Sequence, residues 1–406
     1  MPRAADAPKT AEAAIVGGGI IGLSVAYHLG RLGVRAVVLE RGRLGDGSTA
    51  RSSGGIRRLF ATEPAIRLAM ESVRFWERAD DELGGGIGWQ RCGYLLVARS
   101  SGQCELLHAA WRAQRRCGVP SSYLPPGEVH RLAPSMDVNN VVGALYCPTD
   151  GYADPTRALS AFRDGALRTG TTIVEGCEVS DVRVLGGRVC GVATSRGTID
   201  APVVINAAGV WAPRLAGRAG VEIPTVMALR HQWIVETRER PAPIPCVVDM
   251  DSTLFVRPDG EGYLLGVGGE RPATTYDTTV DPGAFARVAA LAAVRFPPLR
   301  SARLVRTWAG LTQETPDRHP VLGPAGAPGY ILAAGFSHGF MHAPAAGRAI
   351  AEWITTGRSE AVALEPFRPS RFTEPRAATA IVPRPAGRAS GGGISDRRAD
   401  SASDTA

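Results

Sequence analysis

The stretch that decides the fold runs from Ala13 to Gly55 and reads AAIVGGGIIGLSVAYHLGRLGVRAVVLERGRLGDGSTARSSGG. Its first four residues are apolar and predict a buried parallel strand. The glycines that follow, Gly17, Gly19 and Gly22, have the spacing of a strand-to-helix turn that lets the backbone approach a dinucleotide. The N–H groups and positive dipole end of the helix suit a pyrophosphate. Taken alone, this turn fits NAD as well as FAD.

A second apolar run, AVVL, ends at Glu40, about 20 residues beyond the glycines. An acid at this point accepts hydrogen bonds from the hydroxyls of an adenosine ribose, although Arg41 beside it leaves a 2′-phosphate open. The predicted nucleotide contacts of this unit are Gly17, Gly19, Ile20, Ile21, Gly22, Glu40 and Arg41.

Length and composition indicate a globular chain of two domains. The 406 residues are 44% hydrophobic and 21% charged, and no apolar run reaches the roughly 18 residues of a membrane span. The first dozen residues lack the apolar core of a signal peptide, so we expect a cytoplasmic protein. The net charge of +7 is spread over the whole chain without a Lys/Arg run, which argues against a nucleic-acid partner.

Two residue counts exclude further chemistry. The seven cysteines have no metal-ligand spacing, so we predict reduced thiols and no metal site. Lys9 is the one lysine in the chain, which leaves no catalytic ammonium group in the body of the protein.

The pattern along the chain predicts an α/β plus α+β fold. Apolar strands near residues 203–209 and 329–335 each end in glycine, which indicates that the chain returns twice to the first domain. We therefore predict a discontinuous Rossmann-like domain and a second domain with a mainly antiparallel β-sheet. The predicted ranges are 1–12 for a disordered arm, 13–92, 147–220 and 324–360 for the nucleotide domain, 93–146 and 221–323 for the substrate domain, and 375–406 for a disordered tail.

Three separated motifs follow one another along the chain. They are GSTARSSGGIRR after the first turn, VVINAAGVWA from residue 203, and a closing stretch that begins WAGLTQETPDRHPVLGP at residue 308. Together they resemble the D-amino-acid-oxidase-like FAD-dependent oxidoreductases. Within that family they are similar to the branch of sarcosine oxidase, dimethylglycine dehydrogenase and FAD-dependent proline dehydrogenases. The resemblance extends from about residue 13 to residue 357.

The resemblance implies FAD as the cofactor, bound by the discontinuous domain, with the substrate between the flavin ring and the β-sheet. It adds FAD contacts to those of the first unit. The positions carried over are Ser48, Thr49, Arg51, Ser52, Ser53, Val179, Ala208, Gly209, Trp211, Gly335, Ser337, His338, Gly339, Phe340 and Met341.

For the substrate, the resemblance assigns a carboxylate-binding arginine to Arg57, whose planar fork suits a bidentate contact. Arg257 is a second candidate, and His231 and His338 are candidates for lining the site. Arg58 is expected to be a solvated charge, because it points away from Arg57 in an extended segment.

Departures from the family pattern sharpen this expectation. Thr312 stands where glycine oxidase and D-amino acid oxidase have a carboxylate-binding arginine, which disfavours a primary amine. Gly310 and Arg51 stand where relatives carry the cysteine or histidine that bonds the flavin, so we predict non-covalent FAD. Leu264 and Met341 replace two lysines of monomeric sarcosine oxidase.

The resulting hypothesis is oxidation of the C–N bond of a secondary or tertiary amine to an imine, by hydride transfer to FAD. The expected substrate is an N-alkyl or cyclic amino acid, and the electron acceptor is oxygen or a redox partner. Two alternatives stay open: a tailoring oxidase for a larger biosynthetic intermediate, and a non-catalytic flavoprotein subunit or assembly factor.

Overall fold

The computed structural model describes residues 7–238, 242–268 and 272–373. Within these ranges the strands are β1 (Ala13–Val16), β2 (Ala36–Leu39), β3 (Gly55–Ile56), β4 (Tyr94–Ala98), β5 (Ser122–Leu124), β6 (Gly143–Cys147), β7 (Gly151–Tyr152), β8 (Thr172–Val174), β9 (Val179–Leu185), β10 (Arg188–Thr194), β11 (Gly197–Asp200), β12 (Val203–Asn206), β13 (Val226–Glu236), β14 (Cys246–Asp249), β15 (Leu254–Asp259), β16 (Gly262–Val267), β17 (Arg303–Glu314), β18 (Val321–Pro324) and β19 (Tyr330–Ala334). The α-helices of the same ranges are α1 (Ile20–Arg31), α2 (Glu63–Trp76), α3 (Ala79–Leu83), α4 (Ser101–Arg116), α5 (Pro126–Leu132), α6 (Pro155–Arg168), α7 (Ala212–Arg218), α8 (Pro282–Arg295) and α9 (Gly339–Thr356).

The first sheet has six strands in the order β18-β19-β12-β1-β2-β8. All neighbours pair parallel except β18, which lies antiparallel to β19 at the edge. The central strand β1 therefore contacts β2, which follows it closely in sequence, and β12, which lies almost 190 positions later. This order brings the ends of three distant chain segments together and confirms the predicted discontinuous Rossmann-like domain.

Both faces of this sheet are buried, which explains the continuous apolar runs. Ala13 and Ile15 of β1 pack into one core with α1, α6 and α9. Ala14 and Val16 face the opposite core, formed with α7 and the three-stranded sheet β11-β10-β9. Because successive side chains of a strand point to opposite faces, a strand covered on both sides needs apolar residues throughout.

The second sheet has eight strands in the order β17-β13-β16-β15-β14-β4-β6-β5. Its neighbours pair antiparallel except β14 and β4, which are parallel. The mainly antiparallel second sheet predicted from the sequence is thus confirmed.

Part of the predicted disordered arm is wrong. Residues 7–12 lie against the three-stranded sheet, where the Ala11 N–H donates to the Asp200 carbonyl at 2.9 Å and the Asp200 N–H donates to the Lys9 carbonyl at 2.9 Å. These contacts use only backbone groups, so the polar side chains of the arm gave no indication of them. Residues 1–6 lie outside the described residues.

One predicted domain boundary also needs correction. Val321 belongs to β18 of the six-stranded sheet, although the substrate domain was predicted to extend to residue 323. The chain enters the sheet at Val321, turns, and runs back as β19, with the Ala325 N–H donating to the Tyr330 carbonyl at 3.0 Å. The remaining domain boundaries stay a proposal. The predicted tail, 375–406, lies outside the described residues.

No helix in the described part of the chain is long and apolar enough to cross a membrane. The described residues likewise contain no group of three or more His, Cys, Asp or Glu side chains arranged to hold a metal ion.

Candidate functional site

A cavity of about 910 Å³ is lined by residues of both large sheets. This volume is near the upper end of the roughly 300–1,000 Å³ of ligand pockets. Every predicted cofactor residue except Gly22 lies on its wall, as do Arg57 and His338. The structure therefore brings together residues from four separate parts of the sequence, 17–57, 179, 208–211 and 335–341.

The glycine turn after β1 forms one end of the cavity. Gly17 has a φ of +112°, and a Cβ there would lie 2.5 Å from the Ala207 carbonyl oxygen. Gly22 faces away from the cavity, and its missing Cβ would lie 2.0 Å from the Gly17 carbonyl oxygen. Gly22 therefore acts through packing, because it lets α1 start directly against the strand that precedes it.

Glu40 is held rigidly at the end of β2. Its Oε2 accepts a hydrogen bond from the Gly18 N–H at 2.8 Å, and its Oε1 accepts one from the Gly42 N–H at 2.8 Å. These bonds orient the carboxylate on the cavity wall beside the glycine turn. This is the arrangement in which an acid contacts ribose hydroxyls.

The segment after Glu40 follows the wall toward the second sheet. Thr49 accepts the Ile20 N–H at 3.1 Å, and Ser48 donates to the Leu311 carbonyl at 2.6 Å. Arg51 donates to the backbone carbonyls of Asp46 and Gly47. These contacts join the first turn of α1 to the strand β17 and fix the shape of the cavity between them.

Gly310 of β17 leaves room for Arg51. A Cβ at Gly310 would lie 2.6 Å from the Arg51 Cβ, and the Trp308 indole N–H donates to the Arg51 carbonyl at 3.1 Å. The two positions at which the resemblance places flavin-bonding residues in relatives are therefore packed against each other.

A stack of three side chains closes another part of the wall. The Arg41 guanidinium lies 3.6 Å from the centre of the Trp211 ring, and Trp211 stacks on Tyr276 with ring centroids 5.2 Å apart. Such cation–π and ring contacts stabilise an exposed edge by roughly 0.5–1.5 kcal/mol each.

Arg57 reaches the cavity with its charge uncompensated. None of the carboxylates in the described ranges lies within ion-pair distance of it, and its Nε is buried without a hydrogen-bond partner. Its other nitrogens lie 3.4 Å from the Tyr94 hydroxyl and 3.4 Å from His338 Nε2. The side chain also lies 5.0 Å from the Phe60 ring centre. A guanidinium in this setting favours binding an anion.

His338 is held neutral beside Arg57. Burial, and after it the positive charge of Arg57, lowers the pKa of His338 well below its ordinary value. Its Nδ1 lies 2.8 Å from the Ser337 hydroxyl, so both ring nitrogens have polar neighbours. Burial also raises the pKa of Tyr94 to about 12. Neither side chain therefore adds charge near Arg57 at neutral pH.

The family model described as FAD dependent oxidoreductase matches residues 12–353. The chain belongs to this family, and FAD is its cofactor. The predicted resemblance is thereby confirmed.

Several relatives of this FAD-dependent oxidoreductase are similar over most of its length. Human mitochondrial sarcosine dehydrogenase is 33% identical over an alignment of 373 residues that covers 87% of this chain and 40% of that protein. The 4-methylaminobutanoate oxidase (formaldehyde-forming) of Paenarthrobacter nicotinovorans is 32% identical over 86% of this chain and 44% of its own. The chain thus spans less than half the length of these curated relatives.

Two solved structures match over nearly their whole length. L-proline dehydrogenase from P. horikoshii superposes with a TM-score of 0.86 at 32% identity, over 90% of this chain and 99% of that one. Glycine oxidase from Geobacillus kaustophilus gives a TM-score of 0.81 at 25% identity, over the same shares.

The residues on the cavity wall of the FAD-dependent oxidoreductase fit the cofactor. At Gly17 any side chain would collide with backbone, so only main-chain atoms face the cavity there. Glu40 offers a fixed carboxylate, and the cavity continues from it past Thr49 to His338 at the start of α9. Glu40 and the glycine turn would hold the adenosine half, and residues 335–341 would contact the flavin half.

Arg257, the second candidate for the substrate carboxylate, does not line the cavity. It is 5% exposed, its Nε donates to the Ser53 carbonyl at 2.7 Å, and its Nη1 bonds Asp259 at 2.7 Å. It also lies 4.3 Å from the Tyr152 ring centre. Arg257 thus contacts Ser53, which does line the cavity, through the Ser53 main chain.

His231, a candidate for lining the site, also lies outside the cavity lining. Its Nε2 accepts the Asp281 N–H at 3.1 Å at the start of α8, and its ring stacks on Trp233. The residues on either side of it, Arg230 and Gln232, do line the cavity. Because side chains alternate along a strand, the expected strand placed His231 on the face opposite both neighbours.

Arg58 is buried, whereas the sequence predicted a solvated charge. It is 7% exposed and pairs with Asp150 at 3.1 Å and Glu77 at 2.9 Å. This pairing was not predictable, because Asp150 lies 92 positions away within a turn-rich stretch.

Sequence reasoning also missed several wall residues of the second sheet. Tyr94 stacks on Phe255 with ring centroids 6.0 Å apart, beside Arg57. Arg230 lines the cavity while paired with Glu314 at 2.9 Å, and the Gln232 Oε1 is buried without a partner. Side chains along β13 alternate between its two faces, so Arg230 and Gln232 could have been assigned to the cavity once the register of the strand was known.

Proposed function

We propose that this FAD-dependent oxidoreductase oxidises the C–N bond of a secondary or tertiary amine that carries a carboxylate, giving an imine that hydrolyses in water. The observation that carries the proposal is Arg57, a cavity-facing guanidinium without an acidic partner among the described residues. A substrate carboxylate in the cavity would form a charge-assisted hydrogen bond with the Arg57 guanidinium and balance its charge.

The residues around Arg57 bind and orient such a substrate. Tyr94, Phe255 and Phe60 provide apolar surface beside the guanidinium, which excludes water and strengthens the contact with an anion. Neither polar neighbour of Arg57 is poised as a general base: the pKa of Tyr94 is raised to about 12, and that of His338 is lowered. The substrate amine would enter in its neutral form. Bound FAD supplies the two-electron oxidising chemistry.

The names of the relatives support a substrate with both an amine and a carboxylate. Sarcosine, dimethylglycine and 4-methylaminobutanoate stand in the names of three curated relatives, and L-proline in that of a solved structure. We propose an N-alkyl or cyclic amino acid for this chain, in line with Thr312 in place of the arginine that the resemblance assigns to primary-amine oxidases.

We propose that FAD is bound without a covalent bond. The described cavity wall contains no cysteine, and the two positions expected to carry the attachment hold Gly310 and Arg51. Acid precipitation tests this proposal: all the flavin should stay in the supernatant, whereas flavin that pellets with the protein would contradict it.

The electron acceptor is proposed to be oxygen or a redox partner. The chain has no lysine beyond Lys9 to stabilise superoxide, which favours a partner. We propose a cytoplasmic location, supported by seven free cysteines. The absence of a basic run also supports the proposal that nucleic acid is no partner.

The proposal is tested by mixing the purified holoprotein without oxygen with sarcosine, dimethylglycine, L-proline and glycine. We expect at least one of the first three to bleach the flavin absorbance, and glycine to act more slowly. Bleaching only by larger amines would favour a tailoring oxidase.

A flavin spectrum that no amine bleaches would favour a non-catalytic subunit. This second candidate has support of its own, because the regulatory subunit of mouse pyruvate dehydrogenase phosphatase is 28% identical over 86% of this chain.

A further inference from the structure

The segment that carries Arg57 is joined to residues 149–152. Strands β3 and β7 pair antiparallel, with Gly55 opposite Tyr152. Just beyond this ladder, the Asp150 carboxylate accepts the Arg58 backbone N–H at 2.7 Å and the Arg58 guanidinium at 3.1 Å. Asp150 therefore fixes the residue next to Arg57 through both its main chain and its side chain.

Asp150 also holds the strand that carries Tyr94. The Asp150 carbonyl accepts the Gly93 N–H at 2.8 Å, one residue before Tyr94. The Tyr94 hydroxyl in turn lies 3.4 Å from Arg57. Asp150 thus contacts Arg58 and Gly93, the chain neighbours of the cavity-facing Arg57 and Tyr94. Asp150 itself does not line the cavity.

The surroundings of Asp150 make this junction sensitive to substitution. Asp150 is fully buried, and burial raises its pKa to about 6, although the Arg58 N–H and guanidinium act in the opposite direction. Arg58 has further contacts with Glu77 at 2.9 Å and with the Thr149 hydroxyl at 2.8 Å. Removing the Asp150 charge would leave Arg58 only partly compensated, in a site almost closed to water.

We infer that Asp150 is a positioning residue for the substrate carboxylate, because it fixes Arg57 and Tyr94 relative to each other through Arg58 and Gly93. This inference rests on the proposed function, since it takes Arg57 as the carboxylate anchor. Asp150 itself does not contact the substrate.

The test is a double-mutant cycle on the FAD-loaded protein, with propionate as a carboxylate that has no amine. Its dissociation constant is measured from the change in flavin absorbance. We expect Asp150→Asn to weaken propionate binding about tenfold and Arg57→Gln to weaken it more. The double variant should bind as weakly as Arg57→Gln alone, because Asp150 acts through Arg57.

The control is Asp249→Asn, which breaks the buried ion pair between Asp249 and Arg99 in the same sheet. It should leave propionate binding unchanged. If Asp150→Asn yields no folded flavoprotein, Arg58→Lys decides by the same cycle, since it keeps a charge near Asp150 but loses the fork.

Three outcomes would overturn the inference. An unchanged dissociation constant in Asp150→Asn removes the positioning role, and so does an equal loss in the Arg57→Gln background. If Arg57→Gln itself binds propionate normally, the carboxylate anchor of the proposed function fails as well. This third result is distinguishable from the first two.

Discussion

Arg57 and Arg58 are neighbours in sequence and have opposite surroundings. Arg58 is compensated by Asp150 and Glu77, whereas Arg57 faces the cavity without an acid among the described residues. The opposite directions of the two side chains follow from the extended backbone and were predictable. The burial of Arg58 was not, because its partner comes from a distant turn.

The first prediction concerns selectivity for a carboxylate. Arg57→Gln should lower kcat/KM for the best amino-acid substrate by roughly 10- to 100-fold, the range expected for one lost charged hydrogen bond. For a cyclic substrate, L-proline and pyrrolidine form the matched pair, since pyrrolidine lacks the carboxylate. Rates for pyrrolidine should change little in Arg57→Gln. An equal loss for both amines would contradict the assigned role.

The second prediction concerns pH and a buried histidine of α1. Burial lowers the pKa of His28 to about 3, and its Nε2 has no hydrogen-bond partner. The unfolded chain takes up a proton at a pKa of about 6.5, so stability is lost as pH falls below that value. At pH 5 protonation of His28 in the unfolded chain therefore lowers the free energy of unfolding by about 2 kcal/mol relative to neutral pH.

Urea unfolding at pH 7.5 and pH 5 measures this contribution. In His28→Leu the difference in unfolding free energy between the two pH values should shrink by about 2 kcal/mol relative to the parent. His342 is unchanged in this variant. Burial also lowers its pKa to about 3, so part of the pH dependence of the unfolding free energy should remain in His28→Leu. An unchanged difference would contradict a neutral, buried His28.

At the scale of elements, the site depends on where helices start. The β1–α1 turn was predictable in detail, since each glycine position has a steric reason that the sequence pattern expresses. The contact between α1 and α9 was not predictable from the sequence. These helices are more than 300 residues apart, and they approach so closely that a Cβ at Gly347 would lie 2.2 Å from the Ser24 hydroxyl. Such pairs of small residues carry no periodic signal.

The third prediction tests the turn. Gly22→Ala should destabilise the protein by about 1–3 kcal/mol and lower its FAD content, because the added Cβ would lie 2.0 Å from the Gly17 carbonyl oxygen. Gly102→Ala in the first turn of α4 is the control, since a Cβ there meets nothing within 4 Å. Equal melting temperatures and equal flavin-to-protein ratios in the two variants would contradict the close helix–strand contact.

For the whole molecule, the cavity is assembled from chain segments that are far apart in sequence. Three motifs in order were enough to predict the two returns to the first sheet. The positions of Arg257 and His231 were not predictable, because they depend on the register of β15 and β13 in the second sheet. The sequence also could not indicate that residues 9–11 join the fold through backbone hydrogen bonds to Asp200.

The fourth prediction follows from this assembly. FAD that binds only the folded chain should stabilise it by about 2.7 kcal/mol when free FAD is 100 times its dissociation constant. Thermal unfolding of the apoprotein with increasing FAD measures the shift, and riboflavin, which lacks the adenosine half, should stabilise less. A melting temperature independent of FAD would show that the cofactor does not join the segments.

The ordered arm has a practical consequence for measurement. Lys9 is exposed, it carries the one side-chain amine of the chain, and its carbonyl is bonded to Asp200 at the edge of the three-stranded sheet. A dye coupled to that amine would therefore sit at a defined distance from the flavin, since β9 of the same sheet carries Val179 on the cavity wall. Energy transfer between dye and flavin would then follow cofactor loading in real time, without introducing any new reactive residue.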